Sequence, residues 1–225
     1  MGVTELAFLT TTSGPLTPEG KEATRHALTV QDEWWARTYP TSPKGFKDRG
    51  VSLFQQVEDP AVTLLTTHWQ SVEQHGVWLA SPENQTVFPA LKDYFLLEKT
   101  ILNHLEGVEL LLKSHKDSGK IALGESPVIS LARITVPAEQ RGAFEQAWNE
   151  VAKGILEDFA KPYTVKSGWC HEKEDEASED FFLVCGWPSV ERHGEFTTAK
   201  GFLGLTEALT PFITSRDSKH YTKIM

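Results

Sequence analysis

The sequence predicts an α+β protein built from two β-α-β-β-α-β units. An eight-residue string at 69–76 returns at 187–194 with six of eight positions identical and a constant offset, since 187 − 69 = 118. Each copy follows a short apolar run, 62–65 in the first and 181–185 in the second, and each opens a helix-like segment. A strand-to-helix junction that recurs at so long a period indicates two copies of one small unit.

The first unit is predicted to begin with a strand at 6–9, an apolar run bounded by Thr, Ser, Gly and Pro. A helix should start at Thr17, which is followed by proline and glutamate as in a typical first turn, and should end before Pro40. Two further strands are predicted at 51–57 and 61–69, on either side of an Asp-Pro turn.

The second helix of this unit should be capped by Ser71, because Gln74 three residues later completes a capping-box pattern. Pro82 and Pro89 are expected to break the helix into pieces. The apolar run 107–112 is predicted to be the fourth strand, which completes the split-βαβ pattern.

The polar segment 114–126 contains two glycines and is the predicted linker, so that the domains are 1–113 and 127–225. The second unit is predicted to restart with a strand at 128–136. The helix that follows has the clearest amphipathic pattern in the chain. Its predicted inner face is formed by Phe144, Trp148, Val151, Ile155 and Phe159.

The remaining elements of the second unit are predicted from the same offset. Residues 168–172 should form its second strand, because they match 50–54 at 118 residues' distance. A third strand is expected at 181–187, a helix from Ser189, and a short final strand at 220–224.

The third strand of the second unit is apolar on both faces. Phe181, Leu183 and Cys185 point to one side, and Phe182 and Val184 point to the other. Helices cover one face of a split-βαβ sheet, so we expect the sheet of the other unit to cover the second face. The two sheets would then enclose a space between them.

Two such units, each with a strand that ends in Trp and is followed by Ser-Val-Glu-x-His, resemble the dimeric α+β barrel superfamily. The resemblance is closest to its antibiotic-biosynthesis-monooxygenase-like branch, as a fused tandem pair, and covers 3–112 and 128–224. It implies two ferredoxin-like repeats that form one pseudo-dimeric α+β barrel. Proteins of this fold include cofactor-free oxygenases, isomerases, cyclases, decarboxylases and haem-degrading enzymes, so the fold does not decide the reaction.

Composition excludes several classes of function. Lys and Arg number 22 against 31 Asp and Glu, and the resulting charge of −9 disfavours a nucleic-acid partner. No apolar run is long enough for a membrane span, and the start lacks the pattern of a signal peptide. Cys170 and Cys185 have no metal-site spacing and are expected to be reduced thiols. These features predict a cytoplasmic protein with neither metal nor other cofactor.

Five histidines are the predicted catalytic residues. His68 and His171 break the internal symmetry: at the 118-residue offset, His68 corresponds to Gly186, and His171 corresponds to Leu53. His220 begins the predicted final strand. Each could be a strand histidine that faces the enclosed space, or a hydrogen-bonded residue at the rim of the barrel.

His75 and His193 obey the repeat, one turn into a helix. They could act as a general acid or base at a pocket edge, or simply bond to a nearby carbonyl. The predicted substrate-binding residues are Thr66, Trp69, Trp169 and Trp187.

These residues favour a cofactor-free enzyme of secondary metabolism that uses histidine acid/base chemistry on an aromatic or polyketide-like substrate. Cyclisation, isomerisation or elimination would follow from proton transfer alone. A cofactor-independent monooxygenase is an alternative, because a deprotonated substrate can react with oxygen itself. A non-catalytic ligand-binding or stress-related barrel is a second alternative. The expected assembly is a pseudo-dimeric monomer or a further homodimer.

Overall fold

The structure is a computed structural model that describes residues 2–112 and 117–225. The chain divides into two compact units. Met1–Leu112 together with Lys223–Met225 form the first unit, and Lys113–Thr222 form the second. The predicted linker begins at 114–116, which lie outside the described residues.

The first unit contains a four-stranded antiparallel sheet in the order β4-β1-β3-β2. Leu53 in this sheet donates its N–H to the carbonyl of Met225 over 3.0 Å, and its own carbonyl accepts from Ile224 over 2.9 Å. These bonds explain why residues 223–225 belong to the first unit. The strands are β1 Val3–Thr10, β2 Ser52–Gln56, β3 Val62–Trp69 and β4 Ile101–Glu106.

The helices of the first unit start where their capping residues predict. The Thr17 hydroxyl accepts from the N–H of Gly20, and the Ser71 hydroxyl accepts from the N–H of Gln74, so both predicted N-caps are confirmed. Prolines divide the second helical segment as predicted, since Pro82 begins a separate helix. The helices are α1 Pro18–Thr38, α2 Val72–Leu79 and α3 Pro82–Val87, followed by a 3₁₀ turn at Pro89–Asp93.

The prediction of a fourth strand at 107–112 is wrong. Gly107 follows the end of β4 with a φ of 66°, which takes the chain out of the extended conformation. The apolar segment after it is a loop in which Leu110 is buried, and the N–H of Leu110 donates to the hydroxyl of Thr4 over 3.1 Å. The strand itself, Ile-Leu-Asn-His-Leu-Glu, is less apolar than the loop and was therefore missed.

The second unit repeats the strand order of the first as β8-β5-β7-β6, again antiparallel. Its last strand is longer than the predicted 220–224 and begins at Ser215. The strands are β5 Val128–Pro137, β6 Val165–Trp169, β7 Ser178–Trp187 and β8 Ser215–Lys223. The helices are α4 Arg141–Ala147, α5 Lys153–Ala160, α6 Val190–Glu195 and α7 Lys200–Leu209.

A π-helical turn at Trp148–Ala152 joins α4 to α5 and changes the predicted inner face of this helix. A π turn contains one more residue than an α turn, so the inward positions move by one place along the sequence. Val151 is consequently 43% exposed, whereas Ala152 and Leu156 are buried. Phe144 and Trp148, which precede or begin the turn, are buried as predicted.

The predicted strand at 168–172 is also misplaced. In the ladders, Ser52 pairs with Thr66 and Lys166 pairs with Val184, so the strands β2 and β6 are offset by 166 − 52 = 114 while β3 and β7 are offset by 184 − 66 = 118. The connection between the second and third strands is four residues longer in the second unit, since 118 − 114 = 4. His171 therefore lies beyond β6 and does not correspond to Leu53.

Candidate functional site

Two histidine pairs occupy equivalent places in the two units. In the first unit, Nδ1 of His75 lies 2.7 Å from Nε2 of His104. In the second unit, Nδ1 of His193 lies 2.7 Å from Nε2 of His220. One histidine of each pair comes from the first turn of the helix that begins within the recurring string, and the other comes from the last strand of its unit.

A tryptophan fixes the orientation of the helical histidine in each pair. The ring of His75 stacks on Trp69 with centroids 4.5 Å apart and planes at 17°. The ring of His193 stacks on Trp187 with centroids 4.6 Å apart and planes at 18°. Both tryptophans end their strands and are fully buried. The recurring string therefore encodes this stacked pair, with Trp at its first position and His at its seventh.

The two sites differ at one buried position. Val3 pairs with Trp69 and Val128 pairs with Trp187, so the first strands are offset by 128 − 3 = 125. At that offset, Glu5 of the first unit corresponds to residue 130 of the second, which is a serine.

Both residues accept a hydrogen bond from the indole of the stacked tryptophan. Trp69 Nε1 donates to Glu5 Oε2 over 2.7 Å, and Trp187 Nε1 donates to Ser130 Oγ over 2.8 Å. Oε2 of Glu5 also lies 3.5 Å from Nε2 of His75. The first unit thus holds a buried carboxylate beside its histidine pair, whereas the second holds a hydroxyl.

Each site borders a cavity that lies between the sheet and the helices of its own unit. The cavity of the first unit is about 280 Å³, and Glu5 and His75 line it. The cavity of the second unit is about 330 Å³, and Ser130, His193 and His220 line it. Both volumes are near the lower end of the range for small-molecule pockets.

The walls of both cavities are mainly apolar. The first is lined on its apolar side by Ala7, Leu9, Ala27, Leu28, Leu65, Trp78, Leu79, Val87, Phe88, Leu91, Leu97 and Leu102. The second is lined on its apolar side by Ala132, Ile134, Trp148, Leu156, Leu183, Trp187, Val190, Phe196, Phe202, Leu205, Leu209 and Ile213.

Three predicted catalytic residues, His75, His193 and His220, are brought to these sites by the structure. Glu5 and His104 were missed by sequence reasoning. His104 precedes His220 by 220 − 104 = 116 residues, which is close to the offset of the repeat and could have indicated it. Glu5 is an acid directly before an apolar run, and only the strand register shows that it faces the histidines.

Thr66 and His68 line neither of these two cavities. Leu65 does line the first cavity, and alternate residues of a strand point to opposite faces, so Thr66 and His68 point to the other face of the sheet. The Thr66 hydroxyl donates to the carbonyl of Gly50 over 3.0 Å, which is a structural bond. Their predicted functional roles stay predictions.

His68 packs against the backbone near the start of β1. A Cβ built on Gly2 would lie 2.7 Å from Cε1 of the imidazole, so the ring fills the space that only glycine leaves. Nε2 lies 3.7 Å from a carboxylate oxygen of Glu109, and the buried Nδ1 has no partner among the residues that the structure describes. Burial lowers the pKa of His68, and the charge of Glu109 opposes this in part.

His171 and Trp169 also line neither of these two cavities. His171 is exposed, in contrast to the predicted position on a strand. Trp169 is buried in the core of the second unit against Phe144 and Phe181, and the guanidinium of Arg141 lies 4.5 Å from its ring centroid. The predicted substrate-binding role of Trp169 stays a prediction.

Burial disfavours the ionisation of both cysteine thiols. Burial raises the pKa of Cys170 to about 12, with a smaller contribution from Glu172. Burial also raises the pKa of Cys185, which lines the second cavity. A thiol in this state is a poor nucleophile at neutral pH. Within 2–112 and 117–225, no group of three or more His, Cys, Asp or Glu is arranged to hold a metal ion.

No protein-family model and no curated protein sequence matches the chain. Solved structures do match it over its whole length. An anthrone oxidase-like protein has a TM-score of 0.63 at 13% identity, with 100% of this chain and 92% of that chain covered. A candidate monooxygenase from Fusobacterium nucleatum has a TM-score of 0.59 at 8% identity, with 100% and 93% covered. A candidate chlorite dismutase has a TM-score of 0.56 at 9% identity, with 100% and 96% covered.

The chain has the dimeric α+β barrel fold. The fold class predicted from the sequence is thereby confirmed. Since proteins with different assigned reactions share this fold with the chain at such low identity, the likeness describes the fold and not the reaction. Among the described residues of this barrel protein, the helices are all too short or too polar to cross a bilayer.

Proposed function

We propose that this dimeric α+β barrel protein is a small-molecule enzyme that removes a proton from an apolar, aromatic substrate in the cavity of the first unit. The observation that carries the proposal is the buried carboxylate of Glu5, 3.5 Å from His75 at the cavity wall. A buried acid beside an imidazole is an arrangement suited to proton transfer, and the second unit lacks it.

His75 is the proposed general base. An imidazole that takes up a proton becomes a cation, and the neighbouring carboxylate of Glu5 stabilises that cation by Coulombic attraction. His104, 2.7 Å from Nδ1 of His75, and Trp69, stacked on its ring, hold the imidazole in one orientation. Glu5, His104 and Trp69 are positioning residues, because they act on the substrate through His75.

The proposed substrate is a neutral molecule with a weakly acidic C–H or O–H group. Of the described residues that line the first cavity, none is a lysine or arginine, so an anionic substrate would find no cation among them. The few polar side chains, among them Gln31 and Asn84, are suited to orient one or two oxygens of an otherwise apolar ring system.

Reaction with molecular oxygen is the proposed continuation, because monooxygenase and oxidase names recur among the similar structures. In the balanced reaction, a CH₂ group and O₂ give C=O and water after the substrate carbanion donates its electrons to oxygen. Cyclisation, isomerisation or elimination would need the same base and no oxygen, and is the second candidate.

Anthrone and 2-tetralone, two aromatic carbon acids, separate these possibilities. In oxygen-free D₂O, the wild type should speed deuterium incorporation into their methylene groups, which NMR detects. His75→Asn should lose this activity, whereas His193→Asn, the equivalent change in the second unit, should retain it. Oxygen uptake in air then distinguishes a monooxygenase from an isomerase or cyclase. The proposal is wrong if wild type and His75→Asn exchange both probes at equal rates.

A further inference from the structure

We propose that the cavity of the second unit is a separate binding site for an apolar carboxylate. This site goes beyond the reaction proposed for the first unit, and its ligand is an aromatic or aliphatic acid. The inference rests on a row of polar side chains along one wall of an otherwise apolar cavity, and on the difference in charge between the two cavities.

The polar row lies on β8. Its residues Arg216, Ser218 and His220 pair in register with Ile134, Ala132 and Ser130 of β5, and all six line the cavity. The opposite wall consists mainly of apolar side chains, among them Leu156 of α5 and Phe202, Leu205 and Leu209 of α7. A ligand with an apolar body and one polar end fits this arrangement.

Arg216 supplies the charge at the polar end of the row. It is exposed, has no carboxylate partner within the described part of the chain, and no Asp or Glu lines the cavity. Glu191, whose charge acts on His220, is not among the lining residues. A guanidinium stays charged at all accessible pH values and binds a carboxylate through two parallel hydrogen bonds.

The two cavities differ in charged side chains at two pairs of equivalent positions. In the first unit, His104 pairs with Glu5, and Leu102 pairs with Ala7. At the equivalent places in the second unit, His220 pairs with Ser130, and Ser218 pairs with Ala132. The position of Arg216 corresponds to Thr100, which lines the first cavity. Among the described residues, the lining of the first cavity thus includes the carboxyl group of Glu5 and no Lys or Arg, whereas that of the second includes Arg216 and no Asp or Glu. An acid is repelled from the first cavity and attracted to the second.

Isothermal titration with 1-naphthoate and its neutral amide, 1-naphthamide, tests the inference. The wild type should bind naphthoate at one site, and Arg216→Met should weaken that binding by about tenfold, since it removes a charged hydrogen-bonding group. The amide should bind wild type and Arg216→Met equally. Higher salt should weaken the binding of naphthoate more than that of the amide, because Arg216 is exposed and its charge is screened.

Ala132 and Ala7 provide a matched pair that locates the site, because they occupy equivalent positions in the two cavities. Ala132→Phe should abolish binding of naphthoate and Ala7→Phe should not. The inference is overturned if naphthoate does not bind, if Arg216→Met binds it as well as the wild type, or if only Ala7→Phe removes binding. Arg216 is exposed, so its variant folds even where Ala132→Phe does not. The titration needs no turnover, so its failure leaves the proposed reaction untouched.

Discussion

Glu5→Gln is the most direct test of how the first site works. The amide has the shape of the carboxyl group, and its oxygen can still accept the hydrogen bond from Trp69 Nε1. The negative charge beside His75 is removed and the rest of the site is kept. We therefore expect a loss of catalysis. The free energy of unfolding should change by no more than about 1 kcal/mol, because an uncharged buried group replaces a charged one and keeps its hydrogen bond.

The distance between the two groups sets the size of the loss. Oε2 of Glu5 and Nε2 of His75 are 3.5 Å apart, and their side chains are 6% and 2% exposed. Two unit charges at that separation attract by about 1.2 kcal/mol in water and by about 4.7 kcal/mol at an effective dielectric constant of about 20. Loss of the charge should then slow proton removal by between about tenfold and about three-thousandfold. The burial of both side chains favours the upper part of this range.

Deuterium exchange into anthrone in oxygen-free D₂O measures the step directly, with thermal melts of the same samples as the check on folding. Ser130→Ala is the matched control, because Ser130 occupies the place of Glu5 in the second unit, and its rate should equal that of the wild type. An exchange rate for Glu5→Gln within twofold of the wild type would refute the role assigned to the carboxylate. A proportional loss of rate and stability would show a structural role instead.

Three further outcomes are expected. Burial lowers the pKa of His68, so the unfolded chain binds the proton more readily, and the free energy of unfolding should fall as the pH drops below about 6.5. In urea unfolding, this fall should be smaller for His68→Gln than for the wild type. Equal falls for the two proteins would contradict the prediction. Gly186→Ala places a Cβ 2.2 Å from Oγ of Ser126 and should cost about 1–3 kcal/mol, partly recovered by adding Ser126→Ala; calorimetry decides. Because burial raises the pKa of Cys170 to about 12 and also raises that of Cys185, neither should react with a thiol reagent at about pH 8 until the protein is unfolded in urea.

The parts of the site that the sequence could predict are local ones. Trp69 and His75 are six residues apart, and a strand end followed by a capped helix fixes their relative positions, so the repeated string predicts the stack. Helix starts at Thr17 and Ser71 were equally predictable, because the capping residue and the bonds it makes lie within one turn.

The parts that could not be predicted depend on register between distant segments. Glu5 and His104 meet because β1 pairs with β4 in one particular register, and β4 was sought in the apolar loop that follows it. A single offset of 118 also could not represent both units, because the connection between β6 and β7 is four residues longer than that between β2 and β3, as 118 − 114 = 4 shows. That difference moved His171 out of the sheet on which it was expected.

Lys223–Met225 lie after the whole second unit in the sequence and yet complete the first. The three backbone hydrogen bonds between Leu53 and Ile224 or Met225 span about 170 residues, since 224 − 53 = 171. A nascent chain emerges from its amino end, and contacts of such long range form late because closing a long loop costs entropy. When residue 222 has been added to the growing chain, the backbone partners of Leu53 at 224 and 225 have not yet been synthesised. The first unit, although most of it is made first, therefore lacks part of its residues until the second unit has been synthesised.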